Sequence, residues 1–250
     1  MLYKARMALD IVDLRSFYDS PLGKVAERFV GHVIRTRFGP CVGLSVMGIG
    51  YATPYLERFR GEALRVLAFM PAAQGVVNWP ASGLSASALA EPTMMPLPDS
   101  CIDRVIVVHA LEVAEQPREL LSEIWRILTP GGRMIAVAPR RAGLWARLDT
   151  TPFGNGQPYS LSQMRELMRD ALFSPTHWTE ALYVPPFEGQ IFLRSAGLFE
   201  SVGAKLALPG AGVLIVEAMK QLYRPIGVRR PALQHLQPVL GARPAGIAPS

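Results

Sequence analysis

The sequence predicts an α/β protein built on a doubly wound, mostly parallel sheet. Three observations carry that expectation. Asp103 to His109 (DRVIVVH) is apolar on both parities, as a strand covered on both faces must be. After Pro117, the residues Leu120, Leu121, Ile124, Ile127 and Leu128 recur at helical spacing, and Thr129-Pro130-Gly131-Gly132 stops them. Arg133 to Ala138 is then a further apolar strand, and strand, helix, strand joined by tight turns is a right-handed crossover unit.

The other elements follow from local signals. Ser20-Pro21 is an N-cap followed by the residue best tolerated at the first helical position, and Val25, Phe29, Val30, Val33 and Ile34 continue a helix that Phe38-Gly39-Pro40 ends. Val42 to Ile49 is a strand that runs through a glycine turn into a short helix near Tyr55 to Arg60. Leu64 to Met70 is the next strand, and Ser85 to Ala90 a weaker third. Beyond Pro139 comes a turn-rich loop, and Ser160 with Gln163 forms a capping box that opens another helix. Trp178 to Val184 and Val213 to Ala218 are the last strands, with His177 and Trp178 packing at the start of the first of them. The expected organisation is a helical cap over residues 1–40, an α/β domain over 41–219, and a basic, proline-rich, disordered tail over 220–250.

Composition narrows the class. Of 250 residues, 50% are hydrophobic and 18% charged, which suits a sheet covered on both faces or a surface buried by a partner. The formal charge of +6 is concentrated: residues 220–250 hold Lys220, Arg224, Arg229, Arg230 and Arg243 and no acid, which leaves 21 basic against 20 acidic residues elsewhere. Only that tail argues for nucleic acid or an anionic membrane surface. Cys41 and Cys101 match neither a disulfide framework nor a zinc spacing and are expected as buried free thiols, and no metal site is expected. No apolar run is long enough to span a membrane, so the expected location is the cytoplasm.

The stretch from Met95 to Pro139 carries a resemblance. Leu97-Pro98-Asp99, Asp103, Glu123, Arg126, Leu128, Pro130, Gly131 and Gly132 stand in the register of the class I S-adenosylmethionine-dependent methyltransferases, of the type-11 group that includes ubiquinone/menaquinone-type enzymes. Extended through the flanking strands, the likeness spans roughly residues 17 to 218. It implies a seven-stranded sheet in the order 3-2-1-4-5-7-6 with the seventh strand antiparallel. It also implies S-adenosylmethionine as cofactor and a small molecule as methyl acceptor. In doubly wound sheets the ligand sits where the strand order reverses, here between the ends marked by Ile49 and His109.

The resemblance carries site residues with it, and several are altered. Gly48 stands at the family's acidic position and Gly50 at its first glycine. Tyr51, Ala52 and Pro54 replace small residues, and Thr53 is a good N-cap for the helix that follows. The loop is either a cofactor contact or a strand-to-helix turn alone. At the end of the second strand no carboxylate is available for the ribose, and Gln74 is the nearest polar substitute. Glu91 fits the adenine-binding acid, but Pro92 after it has no N–H to offer. His109 at the end of the fourth strand is a candidate general base, with Glu112 within one turn. Tyr18, just before the first helix, is a candidate to fold over the cofactor. The loop carrying Trp145, Arg147, Asp149, Phe153 and Tyr159 shapes an acceptor pocket or a protein contact.

Two rival readings accompany the enzyme. One is a catalytically weak or inactive methyltransferase-fold subunit that binds a protein partner, or a second copy of itself, through an apolar face. The other is an RNA- or protein-modifying enzyme docked by the basic tail.

Overall fold

Why strands in this chain alternate between two cores is visible in the computed structural model, which describes residues 9–187, 189, 195–206 and 210–222. Seven strands form one sheet: β1 (Ser45–Gly50), β2 (Arg65–Pro71), β3 (Ser87–Ala90), β4 (Ile102–Val108), β5 (Leu128–Pro139), β6 (Phe173–Ala181) and β7 (Val213–Lys220). Their order is β3-β2-β1-β4-β5-β7-β6, with β7 antiparallel to both β5 and β6 and the other pairs parallel. The architecture is the expected one.

Because successive side chains of a strand point to opposite faces, each strand feeds two cores. Val46, Ile106, Val108, Ile135, Val137 and Ile215 pack beneath three helices: α1 (Ile11–Asp19), α2 (Pro21–Phe38) and α3 (Thr53–Leu56). Met47, Ile49, Val105, Val107, Met134, Ala136 and Val216 pack on the other face against α4 (Pro117–Ile127) and α5 (Leu161–Asp170). A last helix, α6 (Ala196–Leu206), precedes β7.

Local capping follows the sequence signals. The Ser20 hydroxyl accepts from Gly23 N–H with Pro21 at the first helical position, and Ser160 with Gln163 makes a complete capping box. The residues that carry the family resemblance turn out to be braces. Asp103 accepts from Ser45 N–H at 2.9 Å and from the Thr129 hydroxyl at 3.0 Å, tying β1, β4 and the start of β5 together. Glu123 accepts from Met95 N–H at 2.7 Å, while Arg126 pairs with Glu123 and Asp99 and donates to the Leu97 carbonyl.

Several expectations are corrected. Residues 11–19 form a helix of their own, capped by Asp10, so Tyr18 lies in a helix rather than ahead of the first one. Thr53 is the first residue of α3 and Ala52 its cap, with no side-chain capping bond. β6 starts at Phe173, not Trp178, so His177 and Trp178 lie within the strand. Cys41 is buried, but Cys101 is only partly so. Val42 makes an isolated bridge to Ala63 outside β1. The expected tail beyond residue 222 and the first eight residues of the expected cap lie outside the described residues. Among the described residues, no helix is long and apolar enough to cross a membrane.

Candidate functional site

The parallel strands β1 and β4 end side by side, with Ile49 beside Val107 and Gly50 beside Val108. Directly above those ends the space is filled by the protein's own aromatics. Tyr18, Tyr51 and Tyr55 are all buried there, and so is His109, which has no exposed surface. Gly50 takes φ of 79°, and a Cβ on it would meet the Val108 carbonyl oxygen at 2.1 Å. At Gly48 a Cβ would meet the Ala52 Cβ at 2.6 Å. Both glycines therefore let α3 and β4 pack closely on β1; the atoms they admit belong to this chain.

A hydrogen-bond chain runs through the filled space. Tyr18 Oη is 2.8 Å from Tyr55 Oη and 2.9 Å from His109 Nε2, and His109 Nδ1 is 3.1 Å from Glu112 Oε1. One allocation of protons satisfies every link. Burial, then the neighbouring Tyr55, holds the Tyr18 phenol well above its usual pKa, and burial does the same to Tyr55, so both stay protonated. His109 Nδ1–H donates to the Glu112 carboxylate, which leaves Nε2 as an acceptor. Tyr18 donates to Nε2, and Tyr55 donates to Tyr18. The Phe153 ring lies 4.6 Å from the His109 ring and 6.2 Å from Phe17, closing the cluster from the loop after β5.

Beside this plug lies a cavity of about 460 Å³, lined by Gln74 beyond β2, Glu91 and Pro92 beyond β3, and Ala110, Glu115 and Gln116 beyond β4. Gln74 anchors it. Its Nε2 donates to the His109 carbonyl and its own carbonyl accepts from Ile11 N–H at 2.9 Å, so it ties β4 and α1 to the end of β2. Its Oε1 is buried with no partner among the described residues. Glu91 is exposed and accepts from the Thr93 hydroxyl at 3.1 Å. Among the described residues no Lys or Arg lines this cavity.

Of the candidates read from sequence, Tyr18, Tyr51 and His109 come together in the plug, Gln74 and Glu91 line the open cavity, and Gly48, Gly50 and Thr53 lie in the packed turn between. The loop after β5 divides: Trp145, Phe153 and Tyr159 are buried, while Arg147 and Asp149 face outward. Sequence reasoning gave no role to Tyr55 and none of its own to Glu112. The spacing of Leu14 and Tyr18 after the Asp10 cap was the signal that would have found α1.

Comparison with known proteins bears on the fold. The family described as "Methyltransferase domain" matches residues 45–136, the segment from β1 to the middle of β5. This chain has the fold of a class I methyltransferase. Structures of the same fold include a chain of the complex between the Haloferax volcanii Trm112 methyltransferase activator and the putative methyltransferase. It has 18% identity and a TM-score of 0.60, over 85% of this chain and 98% of that one. Geranyl diphosphate C-methyltransferase from Streptomyces coelicolor, solved with geranyl diphosphate and S-adenosyl-L-homocysteine, has 15% identity and a TM-score of 0.55 over 86% and 90%. The [4+2]-cyclase SpnF has 21% identity and a TM-score of 0.56 over 79% and 82%. No curated protein sequence matches the chain. Within this fold, the open cavity lies at the carboxyl ends of the strands next to the reversal between β1 and β4, where doubly wound sheets bind ligands.

Proposed function

We propose that this chain is an S-adenosylmethionine-dependent methyltransferase acting on a small molecule, and that the adenosine half of the donor occupies the cavity lined by Gln74 and Glu91. The observation that carries this reading is the make-up of that cavity. Among the described residues it presents carboxylates and amides and no cation, which suits ribose hydroxyls and an amino-bearing base and repels phosphates. Gln74 Oε1, buried and without a hydrogen-bond partner among the described residues, is an acceptor that a ribose hydroxyl would satisfy once the amide turns toward the cavity. Glu91 is placed to accept from an exocyclic amine. The donor supplies a methyl group on a sulfonium, already activated for transfer, so the protein's task is to align it with the acceptor. Its methionine end belongs over Gly50 and His109, and binding there requires Tyr18 to swing aside.

That requirement supports a second reading, in which the chain is a weakly active or inactive binding subunit whose donor site is permanently closed. Titration calorimetry with S-adenosylhomocysteine separates the two. The enzyme binds it, gains about 2.7 kcal/mol of stability at a hundredfold excess over Kd, and loses affinity in Gln74→Leu. No heat and no stabilisation at millimolar ligand would leave only the subunit.

A further inference from the structure

We infer that the methyl acceptor is a phenol whose oxygen takes the place of the Tyr18 hydroxyl at His109 Nε2, with Glu112 as the residue that positions His109 to receive its proton. The inference rests on the reading of the chain as a methyltransferase and specifies the acceptor for that same site.

The Tyr18 side chain is itself a phenol seated against a base. Its oxygen lies 2.9 Å from His109 Nε2, within the reach at which an imidazole takes a proton. It arrives on α1, from outside the sheet, so an acceptor that displaces it need not disturb a strand. The surroundings favour an aromatic ring at that place: Tyr18 meets Phe17 edge-on at 5.1 Å, Tyr51 at 5.4 Å and His109 edge-on at 5.8 Å. A second cavity of about 310 Å³, which Phe17 lines together with Asp13, Ser16 and Asp149, adjoins the cluster and offers room for polar substituents of the acceptor.

Glu112 is the second independent observation. It is 1% exposed, and its Oε2 has no partner among the described residues. A carboxylate buried with an oxygen unmatched is costly, and apolar packing would serve the core better. Facing His109 Nδ1, it holds the tautomer that leaves Nε2 free to accept and stabilises the imidazolium that forms. In the transfer, the phenol proton passes to His109 Nε2 while an oxygen electron pair forms the bond to the methyl carbon. The carbon–sulfur bond of the sulfonium breaks with its pair left on sulfur, and the His109 cation rests against Glu112.

The test uses the full chain carrying Tyr18→Ala and ¹⁵N-labelled histidine, titrated with phenol, aniline or toluene. Phenol should return the His109 Nε2 resonance toward its wild-type shift, and toluene should leave it unmoved. Equal effects of phenol and toluene, or a larger effect of aniline, would overturn the inference. Tyr18→Phe, which keeps the ring and the packing, should show the same lost Nε2 hydrogen bond should the alanine variant fail to fold. Glu112→Gln should lose the Nε2-acceptor tautomer and lower conversion of phenol to anisole in the Tyr18→Ala background at least ~100-fold. Glu112→Asp should restore part of both, and an unaltered tautomer in Glu112→Gln removes the positioning role. Phenol recognition without S-adenosylhomocysteine binding refutes the donor site alone; the reverse refutes the acceptor alone.

Discussion

Tyr18 and Tyr51 lie with ring centroids 5.4 Å apart, one from the helix ahead of the sheet and the other from the turn after β1. The turn that would receive the methionine end of a donor is thus covered by an aromatic supplied from elsewhere in the chain. Whether the site works depends on how readily that cover opens.

Tyr18→Phe keeps the ring and deletes the hydroxyl that bonds Tyr55 and His109. Two hydrogen bonds at ~0.5–1.5 kcal/mol each amount to about 2 kcal/mol less stability for the closed form. The apparent affinity for S-adenosylhomocysteine should rise by up to ~30-fold, because less of the binding free energy is used to open the site. Calorimetry on wild type and variant checks it; equal or weaker binding would mean that Tyr18 does not obstruct the donor.

Glu217 on β7 is 2% exposed and is held by Arg37 at 2.6 Å and Arg133 at 2.9 Å, which clamps the end of α2 to the sheet. Glu217→Ala leaves two guanidinium groups facing each other without their counterion. The loss should be about 3–5 kcal/mol, seen as a lower urea midpoint. S-adenosylhomocysteine affinity should not change, since none of the three residues lines the cavity.

The hydrogen bonds from Arg126 hold the Glu123 carboxyl below its ordinary pKa. A depressed carboxyl contributes stability that is fully present above its unfolded value, near ~4.3, and that disappears as pH falls through the lower, folded value. Arg126→Met should therefore be destabilising at pH 7 and progressively less so, relative to wild type, as the medium is acidified below pH ~4.3. Glu62, lowered by its bond to Arg35, titrates in the same direction in both proteins and cancels from the difference. A gap between the two proteins that does not narrow with acid would disprove the coupling.

Gly50 and Gly39 both adopt positive φ, at 79° and 64°, but only Gly50 has a neighbour in the way. Gly39→Ala should cost ~1–3 kcal/mol for a backbone at φ 64°, ψ −157° that is open essentially to glycine alone. Gly50→Ala adds the collision with the Val108 carbonyl and should cost about 3 kcal/mol or more. Thermal denaturation of the pair measures the difference; similar losses would show that β4 yields easily.

Legibility followed burial. Asp103–His109 reads as a doubly covered strand because both of its faces are apolar, and both are packed. β6 was misplaced by five residues because FSPTHWTEA mixes polar residues with Pro175. Such a strand survives because it is an edge with a bulge between Pro175 and His177, where a missing N–H is tolerated. The family resemblance could set Gln74 and Glu91 at the ends of strands. It could not set their surroundings, because those come from residues far apart in the chain.

Taken alone, the sequence determined the layers and the crossover, since these depend on periodicities of two and 3.6 residues and on turn chemistry that each segment carries within itself, while the order of the strands was legible only through the family resemblance of Met95 to Pro139. The tertiary structure decided that Tyr18 reaches across 91 positions to His109, that Glu112 completes that contact, and that the open cavity stands beside the glycine turn rather than on it. A side chain's partner across the fold is set by how helices seat on the sheet, and no local pattern records that seating.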